Sequence, residues 1–174
     1  MIFAIECPDK FLQHHLHCLV KDKSQSLLFH NNELLFKIQI SNINKKLFFE
    51  TNFSPKITIN IPCHFREIYN AIEIIQNLYE INLDLFKYNP FKQKIYNKKV
   101  DVFLNDIHNK ILLCLIINKN GINKIELYKL LWINDKNLNL NKLDTHLTNL
   151  KNLLKSEIDF NLNFKSKNSI LVMQ

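Results

Sequence analysis

Apolar residues recur along this chain with two different periods, and the changes of period mark its organisation. Residues 1–6 form a short apolar run of strand type, and Pro8-Asp9 then opens a helix to about Lys21, a βα start. From 26 to 61 the pattern becomes a series of short β-like runs (26–30, 34–40, 46–53 and 56–61), broken by Asn, Ser and Pro55. Pro62 closes that region. Beyond it Phe65, Ile68, Ile72, Ile75 and Tyr79 keep helical spacing and predict a helix over about 64–80, able to pack on the preceding sheet or to serve as a dimer face.

A new pattern starts near Asn82. Three short β-like segments (84–88, 92–96, 100–104), separated by turn signals at Asn89-Pro90 and 97–99, predict a small antiparallel sheet. Asn105 is a good N-cap, with Asp106 in the first turn, for a helix burying one face through Ile107, Ile111, Cys114 and Leu115; Gly121 marks where it must have stopped. A second helix is expected over about 124–133, with Leu127, Leu130 and Leu131 inward and Trp132 closing it. A third spans about 141–155. There Leu143, Leu147, Leu150 and Leu154 make one narrow stripe at about 100° per residue. The opposite side is thereby set: Thr145, Thr148, Asn149 and Asn152 project outward, flanked by Lys142, Lys151 and Lys155. Amides can pair with adenine, threonine methyls can touch thymine methyls, and ammoniums neutralise phosphates, so this face suits a duplex groove; a merely solvated face fits as well.

Composition narrows the classes. With 47% hydrophobic and 22% charged residues the chain should fold, and one glycine with four prolines excludes glycine-rich phosphate loops and dinucleotide fingerprints. Apolar runs such as 111–117 fall far short of the ~20 residues of a membrane span, and no signal sequence opens the chain, so it reads as cytoplasmic with no membrane partner. Arg66 is the sole arginine, and the wealth of Asn, Lys and Ile reflects AT-rich coding, which accounts for part of the basic charge. Its distribution says more. Residues 1–82 carry eight basic and eight acidic side chains, whereas 83–174 carry fifteen lysines against eight acids and hold the whole excess of seven, as expected of a half that faces a polyanion.

The four cysteines form no C-x-x-C pair and read as buried thiols. His14, His17 and Cys18 share a helix face, with Cys63 and His64 as conceivable completing ligands, but a defined second pair is lacking; the reading adopted is a half-exposed polar stripe, with no metal and no cofactor. No carboxylate pair, nucleophile motif or phosphate loop stands out, and the chain is not expected to be an enzyme.

Leu104-Asn105-Asp106, the run from Gly121 to Trp132 (GINKIELYKLLW), and the segment from Leu143 to Lys151 (LDTHLTNLK) together resemble the OmpR-type winged-helix output domain of bacterial response regulators, in an alphaproteobacterial form. In that family they correspond to a Leu-Thr opening of the first helix, a second helix ending in Val-Trp, and a recognition helix reading Val/Leu-Asp/Glu-x-His-Ile-x-x-Leu-Arg. The likeness covers about half the chain. It implies that the third helix enters the major groove and that a terminal β-hairpin wing, about 160–172, brings Lys165 and Lys167 to phosphates. Asn149 stands where the family usually has arginine, Leu153 where it has a basic residue, and Ser169-Ile170 where the wing usually has Gly-Tyr.

A receiver domain normally precedes that output domain. Pro62 and the helix after it resemble a receiver's last loop and helix, yet Ile61 occupies the lysine position, only Glu6 and Asp9 lie near the first strand, and the segment is much too short. Phosphotransfer is not expected; a shortened pseudo-receiver serving dimerisation or partner binding fits better, with an unrelated small α/β or mainly β domain as the alternative.

The expectations are therefore an α+β chain, with a small α/β, degenerate receiver-like or dimerisation domain over 1–82 and a winged helix-turn-helix domain over 83–174. The function expected is phosphorylation-independent transcription regulation on double-stranded, AT-rich DNA, as a homodimer in contact with RNA polymerase. Lys142, Thr145, Thr148, Asn149, Lys151, Asn152, Lys155, Lys165 and Lys167 are the candidate contacts. The alternatives are a winged-helix protein-interaction module and a metal-dependent sensor built on His14, His17 and Cys18.

Overall fold

A computed structural model of the chain describes residues 3–23, 36–41, 46–51 and 56–173. Two compact units result, Met1–Leu83 and Asp84–Gln174.

In the first unit β1 (Phe3–Glu6) leads into α1 (Lys10–Lys23), whose first turn is capped by Asp9: Oδ1 accepts from the backbone N–H of Phe11 at 2.9 Å and of Leu12 at 3.1 Å. The chain continues through β2 (Phe36–Ser41), β3 (Lys46–Thr51), β4 (Ile57–Asn60), α2 (Phe65–Leu78) and β5 (Ile81–Leu83). The expected strand at 26–30 lies outside the described residues. β1 to β4 form one sheet in sequence order; β1 and β2 run parallel, and the other two pairs are antiparallel. That is not the doubly wound parallel sheet of a receiver. Only four residues separate β2 from β3 and five separate β3 from β4 in sequence, far fewer than the dozen or so that a parallel crossover needs. α2 lies against β3 and β4 and buries Ile68, Ala71, Ile72 and Ile75, and Leu16, Leu47, Phe49 and Tyr79 are buried as well.

The second unit opens with an antiparallel meander of β6 (Phe86–Asn89), β7 (Lys94–Tyr96) and β8 (Asp101–Phe103). α3 (Asp106–Ile117) follows, capped by the Asn105 side chain, which accepts from His108 N–H at 2.8 Å. Its burial corrects the one-face expectation. His108, Asn109, Ile111, Leu112, Leu113, Cys114 and Leu115 are all buried while Ile107 is only half-buried, because the helices Lys124–Leu131 and Leu140–Ile158 and the strand Ile170–Met173 pack around this helix. The polar members of that list differ in their partners: Asn109 receives the Tyr88 hydroxyl on Oδ1 at 2.6 Å and donates from Nδ2 to Pro90 O at 3.0 Å, tying the meander to α3.

After a turn, Gly121 adopts φ +96°, and a Cβ there would stand 2.6 Å from Ile170 Cγ2 and 2.7 Å from Val172 Cγ2, so the glycine admits the wing at close range. β9 (Ile122–Asn123) leads into α4 (Lys124–Leu131), which is shorter than expected, with Trp132 as its C-cap. Leu127 is buried as anticipated, but Leu130 and Leu131 are half-buried and Tyr128 takes the interior position. α5 (Leu140–Ile158) runs past both expected ends, from an Asn139 cap to Asp159 at φ +52°. β10 (Phe164–Lys167) and β11 (Ile170–Met173) form the terminal hairpin, and β11 pairs back with β9. Asn168 and Ser169 both take positive φ, as a two-residue hairpin turn requires. Three helices closed by a hairpin that returns to the strand between the first two constitute a winged helix.

The cysteines depart from the buried expectation. Only Cys114 is buried; Cys7 and Cys63 are half-buried, and Cys18 is exposed because α1 buries Leu16 and turns position 18 outward.

Candidate nucleic-acid interface

α5 is amphipathic in the strict sense that its two sides have different jobs. Leu143, Leu147, Leu150, Leu154 and Ile158 are buried, and Thr145, Thr148, Asn149 and Asn152 are exposed on the far side together with Lys151 and Lys155. Each fully buried leucine contributes on the order of 1.5–3 kcal/mol, so the rotation of the helix about its axis is firmly set. Lys165 and Lys167, two residues apart on β10, share the exposed face of the wing, while Leu171 and Ile122 are buried on the other.

Lys142 does not join the free ammoniums. It is half-buried, with Nζ 2.9 Å from Asp135 Oδ2 and 4.4 Å from the centre of the Trp132 ring. Asp135 also accepts the Tyr128 hydroxyl at 2.7 Å, and these two donors, Lys142 foremost, hold its carboxyl below the usual range. The candidate phosphate contact is thus a strut between α5 and the loop before it. The physical reason is angular: position 142 lies about 100° from Leu143, on the rim that meets the α4–α5 connection.

Two further residues belong to the presented surface and were absent from the sequence-based set. Asp144 accepts at Oδ1 from Lys124 Nζ, 2.6 Å away, joining α5 to the start of α4. Asn141, Asp144, Thr145, Thr148 and Asn149 line one shallow depression. The threonine hydroxyls bond inward along their own helix, Thr145 to Asn141 O at 2.8 Å and Thr148 to Asp144 O at 2.9 Å. Asn141 was legible, since it lies one turn before Thr145 on the same face; the Lys124 partnership was not, because it joins two elements.

His146 flanks the stripe on the other side and points inward, 5.5 Å from Trp132 and 5.7 Å from His108 between ring centres. Both ring nitrogens of His108 and Nδ1 of His146 are buried with no hydrogen-bond partner. Burial lowers both imidazole pKa values, aided at His108 by His146 and at His146 by Lys142.

In the first unit, His14 Nε2 lies 3.7 Å from Cys18 Sγ, and among the described residues no three potential metal ligands converge. Also among the described residues, no helix is long and apolar enough to cross a membrane.

No protein-family model matches the chain, and neither does any curated protein. Among solved structures it is similar to the DNA-binding domain of E. coli CadC, at 11% identity over 53% of this chain and 89% of that one, with a TM-score of 0.45. It is also similar to the C-terminal domain of the nisin resistance regulator NsrR, a lantibiotic response regulator, at 24% identity over 55% of this chain and 96% of that one, with a TM-score of 0.44.

Proposed function

We propose that the second unit binds duplex DNA, with α5 in the major groove and the wing against the adjacent backbone, as part of a transcription regulator that works without phosphorylation. The observation that carries this reading is the exposed hydroxyl-and-amide face of α5, held outward by a fully buried leucine ridge and edged by Lys151 and Lys155. Thr145, Thr148, Asn149 and Asn152 would read bases; Lys151, Lys155, Lys165 and Lys167 would hold phosphates. Asparagine pairing with adenine and threonine methyls against thymine favour AT-rich sites. A homodimer would form through the first unit, where Phe11 and Phe65 are exposed and each packs against His15, at ring-centre distances of 4.1 and 5.9 Å. Contact with RNA polymerase is part of the same proposal.

Fluorescence anisotropy of labelled AT-rich and GC-rich duplexes across a salt series tests it. The logarithm of affinity should fall with log salt by about 0.9 per phosphate contact, and joint Lys151→Glu and Lys155→Glu substitution should abolish binding while the far-ultraviolet circular dichroism is retained. Unchanged affinity in the double variant would overturn the reading.

One observation favours a second reading, a winged-helix module that binds protein. Lys124 and Lys142 are already engaged by Asp144 and Asp135, which lowers the free positive charge beside α5. Salt-insensitive, sequence-blind behaviour in the anisotropy series would select it.

A further inference from the structure

The depression on α5 has a hydrogen-bonding polarity that its composition alone does not reveal. Asp144, half exposed, contributes a carboxylate, and the hydroxyls of Thr145 and Thr148 have committed their protons to Asn141 O and Asp144 O, so toward a ligand they can only accept. Asn141 and Asn149 at its margin offer both donors and acceptors. The centre of the surface is therefore rich in acceptors. Lys124, itself only 18% exposed, fixes the carboxylate through Oδ1 and offsets its charge, which permits an acid to stand close to a polyanion. Base edges in the major groove divide on this criterion: cytosine N4 and adenine N6 donate, whereas guanine O6 and thymine O4 accept and would face the carboxylate unfavourably.

We propose that Asp144, positioned by Lys124, is a specificity-determining residue that accepts a hydrogen bond from the exocyclic amino group of one base in the bound duplex. The inference rests on the reading of α5 as a groove-facing helix. It adds one position that demands an amino base to a surface otherwise tolerant of AT-rich sequence.

Selection from a randomised duplex library by the full chain, followed by anisotropy on the winning site, tests this. At one position the base should be cytosine or adenine, and a keto base there should weaken binding roughly tenfold. Replacing a selected cytosine by uracil, or a selected adenine by purine without its amino group, tells the two sources apart. Asp144→Ala and the near-isosteric Asp144→Asn should level that preference while the far-ultraviolet circular dichroism shows both variants folded. If both variants bind and keep the parent's discrimination, the assignment of Asp144 is wrong although DNA binding stands. If the parent chain binds no duplex at all, the reading of α5 fails and this inference falls with it.

Discussion

His146 follows the exposed Thr145, yet its ring is turned into the protein against Trp132 and His108. Its consequence is a pH dependence whose sign follows from the native pKa values lying below the ordinary 6.5. The unfolded chain takes up protons that the folded chain refuses, so the stability these rings permit is complete above about pH 6.5 and declines as pH falls through the depressed native values. Asp135 acts in a separate, lower window, its depressed pKa supplying stability above its ordinary 3.8 that is lost as pH falls through the native value. Urea midpoints measured from pH 8 to 5 should drop on the acid side, and His108→Leu should flatten the drop. A slope unaltered by that substitution would show that the rings do not carry it. At this scale the sequence was partly readable. The position of His146 beside the leucine stripe could be read from spacing, but no local pattern disclosed that His108, thirty-eight positions earlier, would be its neighbour.

α5 buries one face and exposes the other, and the two should answer mutation differently. Leu150 is fully buried, so Leu150→Ala removes packing and leaves a cavity, at a cost of about 2–5 kcal/mol. Asn152, on the exposed side, should tolerate alanine within about 0.5 kcal/mol. Chemical denaturation followed through Trp132, the sole tryptophan, measures both, and equal costs would contradict the assignment of faces. Helix starts were legible because caps are local: Asn105 performs as its side chain and position require. Helix ends and burial were less so. α4 stops at Leu131 with Tyr128 inside, since Asp135 and the α4–α5 loop draw the tyrosine hydroxyl inward, an effect of residues seven positions away. Nor did the LLCLII run of α3 reveal how many sides were covered, because a helix apolar all round carries no single face to read.

For the whole molecule, charge and architecture divide at the same place. The net excess of seven lies in 83–174, and the compact units meet at Leu83 and Asp84. A fragment of 84–174 should therefore fold on its own core and bind duplex DNA with the salt slope of the full chain, whereas 1–83 should not bind; a much shallower slope in the fragment would place phosphate contacts in the first unit. Sequence alone determined the leucine ridge of α5, its outward hydroxyl and amide side chains, the charge asymmetry and the succession of three helices, because each depends on the order and spacing of residues along the chain, whereas the terminal hairpin was expected only from the family resemblance. Only the tertiary structure decided that Lys142 is a strut, that Asp144 is held by Lys124 within the presented surface, and that the first sheet is mostly antiparallel. Those outcomes depend on which distant residues meet, and pairing between elements leaves no period in the sequence.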